Sequence, residues 1–219
     1  SVLTPEGLNA SRDEWDVVPM LSARRMHEDQ GIFNLPNAWR SVVDAGLLSD
    51  MANSLCFVAR AGQEKNDNNV WERDVLLHHY GNTLRDNKKY AKSANFKRIG
   101  KEIHVQRKLL YPELQSAEGP YAFNPTNEPY IKGRELLDEA RKVTARPGWS
   151  TLELAETFLP WITTLRKHTD EGGNLPPDFV DAAPFNATVT HQGELRFFDL
   201  EWVAKSPLPL LSIVTNHFY

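Results

Sequence analysis

The sequence predicts an α+β protein, with an αβ unit at residues 1–61, a linker at 62–71, and a β-rich part followed by a helical part at 72–219. Three observations lead to this prediction. Residues 74–110 contain runs that alternate polar and apolar side chains, as half-buried strands do. Residues 134–165 repeat apolar side chains at the spacing of a helix. The linker is polar and rich in asparagine.

Composition excludes several classes of protein. The single cysteine, Cys56, forms no internal disulfide and supplies no Cys-rich zinc site. No apolar stretch approaches 18 residues, and the first residues lack the pattern of a signal peptide, so we expect a cytoplasmic protein without a transmembrane segment. A net charge of -4 argues against DNA as a partner. The oligomeric state stays open.

The αβ unit is predicted from one helix and one strand. Residues 34–48 place Trp39, Val43 and other apolar side chains at helical spacing. The short apolar run at 55–59 follows and is typical of a strand.

A basic hairpin is predicted after the linker. Strands at 92–96 and 102–110 flank a Gly-containing turn at 97–101. The period of two places the side chains of Ile103, Val105 and Arg107 on one face and those of His104, Gln106 and Lys108 on the other.

Charge is concentrated in this part of the chain. Residues 81–110 contain nine Lys or Arg against two acidic residues, a net charge of +7. Such a run is typical of a solvated surface, and it also suits a ligand that carries phosphate. Both interpretations stay open.

Helices are predicted next. A helix covers 134–144, and Ser150 with Glu153 forms a capping box at the start of a second helix. Pro160 lies inside the second helix and is expected to kink or split it. Strands at 187–190 and 194–200 then form a hairpin.

The most informative residues are Asp181, Asn186 and Asp199. Asp181 and Asn186 have the spacing D-x-x-x-x-N, and the hairpin then leads to Asp199. In this order and spacing the sequence resembles the protein-kinase-like fold, as a truncated two-lobe domain at 72–219. The plain alternative is that Asp181 and Asn186 are turn residues beside Pro184.

The resemblance implies phosphoryl transfer. It makes Asp181 the catalytic carboxylate that orients the attacking hydroxyl and accepts its proton. Asn186 and Asp199 become ligands of Mg²⁺, which prefers such oxygen atoms. Glu201 would point to the same side as Asp199 if the strand persisted, and would bind the metal indirectly.

A second match concerns ATP. The run from Asn127 to Gly133 enters a helix from an extended segment and resembles the hinge of small-molecule kinases such as aminoglycoside and choline kinases. The plain alternative is an ordinary loop that leads into a helix. The resemblance divides the domain into a small lobe at 72–128 and a helical lobe at 129–219. It assigns adenine binding to the hinge residues Pro129, Tyr130 and Ile131, and phosphate binding to Arg107 or its neighbour Lys108.

The start of the chain resembles a different enzyme. The runs 28–48 and 54–59 are similar to the closing helix and strand of class I S-adenosylmethionine-dependent methyltransferases. The glycine-rich nucleotide loop of that fold is absent, so S-adenosylmethionine would bind only in a longer protein. The whole resembles bacterial methyltransferases fused to a kinase-like domain, which act in surface-polysaccharide biosynthesis, and the chain is expected to be a fragment of one.

Two functions are therefore compared. The first is Mg-ATP-dependent phosphoryl transfer to a hydroxyl of a sugar or polysaccharide end, with a nucleotide and a glycan acceptor as small-molecule partners. The second is a pseudokinase-like scaffold, or an accessory domain of a methyltransferase, that binds an anionic glycan or partner through the basic hairpin.

Overall fold

The computed structural model describes six ranges of the chain: 1–11, 14–22, 35–51, 74–81, 88–115 and 119–216. The chain divides into two compact units, Ser1–Leu110 with Asn127–Tyr130 and Tyr111–Thr126 with Ile131–Tyr219. Both units contain helices and strands, which confirms the mixed α+β class.

Twelve strands and six helices are present in the described ranges. The strands are β1 (Val2–Leu3), β2 (Val75–Gly81), β3 (Lys92–Ile99), β4 (Glu102–Leu109), β5 (Tyr121–Phe123), β6 (Asn127–Pro129), β7 (Gly133–Glu135), β8 (Asn174–Leu175), β9 (Ala187–Thr190), β10 (Leu195–Phe197), β11 (Trp202–Ala204) and β12 (Leu208–Pro209). The helices are α1 (Pro5–Ala10), α2 (Val18–Ser22), α3 (Leu35–Asp44), α4 (Leu136–Thr144), α5 (Thr151–Lys167) and α6 (Leu210–Asn216).

The first unit is built on an antiparallel sheet of order β1-β2-β3-β4-β6. It is larger than the two or three strands predicted, because β1 and β6 join from distant parts of the sequence. The predicted hairpin is confirmed, with Gly100 at φ 65° in its turn. The alternation in β4 is confirmed too, since Ile103, Val105 and Arg107 are buried and their neighbours are more exposed.

Residues near the N-terminus pack directly on this sheet. The hydroxyl of Thr4 donates to the carbonyl of Val75 at 2.6 Å and accepts the N–H of Gly7 at 3.0 Å, so it caps α1 against β2. A Cβ on Gly7 would collide with the Leu76 carbonyl, which shows how closely α1 lies on the strand. Trp15 packs on Phe96 with ring centroids 5.3 Å apart.

These contacts join segments that the sequence analysis assigned to different domains, since residues before and after the predicted linker share one core. The helix predicted at 34–48 is α3. The predicted strand at 55–59 and the linker at 62–71 lie outside the described residues, so the domain boundaries and the methyltransferase resemblance stay predictions.

The second unit has its core around α5. Trp161 is fully buried, and its indole N–H donates to the carbonyl of Ala182 at 2.8 Å. Because Ala182 directly follows Asp181, this bond anchors the predicted catalytic loop to the helix. In the described ranges, no helix is long and apolar enough to cross a membrane.

The start of α5 has the predicted capping box. The Glu153 N–H donates to the Ser150 hydroxyl at 3.2 Å, and the Ser150 N–H donates to the Glu153 carboxylate at 2.9 Å. The second bond is the main reason why the pKa of Glu153 lies below its ordinary value. Pro160 does not split the helix, which continues to Lys167.

A stability measurement tests this cap. Ser150→Ala removes the acceptor for the Glu153 N–H and should lower the free energy of unfolding by about 1 kcal/mol in urea denaturation. Thr163→Ala, at an exposed position inside the same helix, is the control and should not destabilise, because alanine favours helix more than threonine does. Equal losses from both changes would contradict the assigned cap.

Candidate functional site

The segment between Asp181 and Asn186 folds into a tight turn. The side-chain amide Nδ2 of Asn186 donates to the carbonyl of Asp181 at 2.9 Å, and the N–H of Ala183 donates to the same carbonyl at 2.7 Å. Pro184 begins a 3-10 turn that ends at Asn186. Asn186 is only 4% exposed, so its hydrogen bond is well protected from water. The amide therefore fixes the backbone at Asp181.

The hairpin of β9 and β10 returns the chain to this turn. Ala187 lies opposite Phe197 in the register, and the N–H of Phe198 donates to the carbonyl of Asn186 at 3.0 Å. Asp199 comes next in the chain. Asn186 thus contacts the turn that carries Asp181 through its side chain, and the residue before Asp199 through its backbone.

Strand β9 is held from its other side as well. It lies between β10 and β7, with Gly133 opposite Thr190. A Cβ on Gly133 would collide with the Val189 carbonyl, which explains the glycine of the hinge-like motif as a close approach of two strands.

Asp199 has an unusual backbone. Its φ is 61°, and it is the one non-glycine residue with positive φ in the described part of the chain. Most residues other than glycine adopt this conformation at a cost of about 1 kcal/mol or more, Asp and Asn tolerate it best, and such conformations often occur at functional positions. The strain directs attention to Asp199 independently of the sequence motif.

The conformation of Asp199 also corrects the expectation for Glu201. Strand β10 ends at Phe197 and β11 begins at Trp202, so the strand does not persist through Asp199 and strand alternation cannot relate the two carboxylates. Glu201 is fully buried, and its carbonyl accepts the N–H of Asn124 at 2.7 Å.

Asn186 keeps one side-chain oxygen outside its hydrogen bond to Asp181. The bond from Nδ2 to the Asp181 carbonyl leaves Oδ1 as the atom by which Asn186 would hold Mg²⁺, a metal that accepts carboxylate and amide oxygens as ligands. In the ranges described, no group of three or more His, Cys, Asp or Glu side chains is arranged for a metal ion. The set Asp181, Asn186 and Asp199 contains only two such side chains, because its third member is an amide.

Arg107 and Lys108 differ sharply in environment. Arg107 is 7% exposed, and its Nη1 lies 2.5 Å from Oε1 of Glu128, which faces Val105 from the neighbouring β6. Lys108 is exposed on the opposite face of β4. The sequence analysis missed Glu128 as the carboxylate partner, although its position in the strand before the hinge was a usable signal.

The predicted hinge has mixed roles. The N–H of Tyr130 donates to the Ile103 carbonyl at 2.7 Å, and its hydroxyl accepts the N–H of Asp16 at 3.1 Å. These bonds make Tyr130 part of the framework of the first unit. The trans peptide turns the Pro129 carbonyl away from β4, toward the outer edge of β6. Ile131 begins the part of the chain that belongs to the second unit.

The basic charge is partly balanced within the first unit. Nε of Arg98 donates to Oε2 of Glu14 at 3.1 Å, and Arg107 pairs with Glu128. Both acidic partners lie outside residues 81–110, so the +7 of that stretch overstates the charge available to a ligand.

Comparison of the chain with protein-family models, with curated proteins and with solved structures gives no match in any of the three.

A pair of substitutions tests the strain at Asp199. Asp199→Gly and Asp199→Ala both remove the carboxylate, and they differ in their tolerance of positive φ. We expect the Gly variant to be more stable than the Ala variant by about 1 kcal/mol in urea unfolding.

The same two changes at Glu156, an exposed position within α5, serve as the control. There the order should reverse, with Ala more stable by about 1 kcal/mol, because helices disfavour glycine. The same order at both positions would mean that Asp199 has no left-handed strain in solution.

Proposed function

We propose that the chain carries a kinase-like site for Mg-ATP-dependent phosphoryl transfer to a hydroxyl. The observation that carries the proposal is the double contact of Asn186, whose side chain binds the Asp181 carbonyl while its own carbonyl binds the N–H of Phe198. These two bonds connect the turn that carries Asp181 to the residue directly before Asp199, so the segments that carry the three residues of the predicted reaction are joined at Asn186.

Each residue of the turn has a defined chemical task in the proposal. Asp181 orients the acceptor hydroxyl and receives its proton as the oxygen attacks the terminal phosphorus of ATP. Asn186 and Asp199 supply oxygen ligands for Mg²⁺. The metal, when bound, neutralises charge on the phosphates.

The first unit contributes a candidate for phosphate binding. Arg107 is supported over Lys108, because its guanidinium is held by Glu128 while Lys108 points to the other face of β4. A fixed guanidinium presents donors to phosphate in a directed way. At the hinge, the Pro129 carbonyl would accept from the adenine amino group and the Ile131 N–H would donate to the ring. Tyr130 would support the hinge by packing its ring on Trp15 and Phe96.

The acceptor and the wider setting rest on the family resemblance. A sugar or polysaccharide end is the proposed source of the hydroxyl, within a longer methyltransferase fusion of surface-polysaccharide biosynthesis. Cytoplasmic localisation stays part of the proposal.

A ligand titration tests nucleotide binding. Mg-ATP at 100 times its dissociation constant stabilises a protein by about 2.7 kcal/mol, which for a chain of this size raises the melting temperature by roughly 5 to 10 °C. Asp199→Asn should abolish the Mg²⁺-dependent part of the shift. Asp181→Asn should keep the shift and lose phosphoryl transfer, measured as ADP formation with a panel of monosaccharide and oligosaccharide acceptors.

The rival scaffold predicts another pattern. No shift at millimolar Mg-ATP for the folded wild-type chain would contradict the kinase proposal and favour a pseudokinase-like scaffold. A shift that Asp199→Asn leaves intact would contradict the assigned metal site.

The two neighbouring basic residues provide a matched test of phosphate binding. Arg107→Met should weaken ATP binding at least tenfold in calorimetric titration, whereas Lys108→Met should change it less than twofold, because only the Arg107 guanidinium is fixed by a carboxylate. Melting curves of both variants without ligand control for lost stability. Equal effects on ATP affinity would mean that β4 attracts phosphate only through its overall positive charge, as a solvated basic surface does.

A further inference from the structure

The strained backbone at Asp199 is held on both sides. One residue before it, the N–H of Phe198 donates to the Asn186 carbonyl at 3.0 Å. Two residues after it, the Glu201 carbonyl accepts the N–H of Asn124 at 2.7 Å. A strained conformation persists only where its surroundings over-determine it. The first bond belongs to the predicted hairpin, but no sequence motif accounts for the second.

Asn124 ends a short segment that pairs with the chain after Asp199. Strand β5 runs antiparallel to β11, with Phe123 opposite Trp202 and Tyr121 opposite Ala204. The rings of Phe123 and Trp202 meet edge to face, with centroids 5.2 Å apart and planes at 70°. Strand β11 also contacts the 3-10 turn Pro177–Phe179, which precedes Asp181. The pairing therefore contacts chain on both sides of the candidate site.

We propose that Tyr121–Asn124, the clamp segment, is a positioning element that holds Asp199 in its left-handed conformation. Asn124 acts through its backbone N–H on Glu201, and Phe123 acts through the ring of Trp202. Neither residue is catalytic. The consequence for metal binding rests on the proposed function, whereas the mechanical role of the clamp segment does not.

The chain offers a matched pair of variants for the N–H of Asn124. Asn124→Pro removes this N–H, and Asn124→Ala keeps it while removing the exposed side chain. Pro125 favours an extended backbone at the residue before it, and the fixed φ of proline, about −65°, is compatible with the polyproline part of that region.

The first measurement is hydrogen exchange of the Phe198 amide, followed by NMR on the full chain without ligand. A backbone hydrogen bond contributes a factor of about five to a local equilibrium. Asn124→Pro should therefore speed exchange of this amide about fivefold, and Asn124→Ala should change it less than twofold. Phe123→Ala should act like the proline variant, whereas Phe123→Tyr, which keeps the ring, should behave like the wild type.

The second measurement is a titration of Mg²⁺ at fixed ATP. Asn124→Pro should raise the apparent dissociation constant of Mg²⁺ about fivefold and leave ATP affinity in EDTA unchanged. Ser150→Ala provides a stability control, because it weakens a helix cap of the same unit and should leave both the Mg²⁺ constant and the Phe198 exchange unchanged.

The two measurements separate the possible failures. Equal Phe198 exchange in both Asn124 variants, together with wild-type exchange in Phe123→Ala, would overturn the clamp. Faster exchange with an unchanged Mg²⁺ constant would overturn its role in metal positioning. A wild-type chain that binds no Mg-ATP would overturn the proposed function, and the exchange data would still decide the clamp.

Discussion

The two hydrogen bonds of Asn186 are the constraint on which the second unit depends. Its side-chain amide fixes the Asp181 carbonyl, and its backbone carbonyl fixes Phe198, so one buried residue defines the geometry of both carboxylate-bearing segments. Burial makes this arrangement costly to break, because a buried polar group without a hydrogen-bond partner lowers the free energy of unfolding by about 1 kcal/mol or more. Trp161 adds a second anchor through Ala182.

Close to Asn186 in the structure, one residue, Asp199, has a strained backbone. Asp199 adopts a left-handed backbone between two hydrogen-bonded neighbours, and the clamp segment supplies the second of these bonds from a remote part of the chain. The clamp segment lies in sequence between β4 and β6, yet it belongs to the second unit. The connection between β4 and β6 is thus part of the second unit, and it contributes to the backbone geometry there.

The first unit places Arg107 in a comparable way. Arg107 lies on the core face of β4 and forms an ion pair with Glu128. Glu128 lies on β6, the strand that pairs directly with β4. Tyr130 ties the end of β6 to Ile103 and Asp16, so the N-terminal segment supports the strand that precedes the predicted hinge. These contacts give the unit one continuous core across the predicted linker.

The sequence alone determined features that depend on local rules. The α+β class, the alternating faces of β4, the hairpin at Gly100 and the capping box of α5 follow from side-chain period, glycine and short-range hydrogen bonds. The spacing of Asp181, Asn186 and Asp199 was also visible, and a resemblance gave it a chemical meaning. Tertiary structure decided the positive φ of Asp199, the pairing of β5 with β11, and the Glu128 partner of Arg107. The strand pairing and the ion pair join residues far apart in the sequence, and no local period encodes which distant strand supplies the partner. The φ of Asp199 depends on hydrogen bonds at the residues on either side of it, which are made to other segments of the chain.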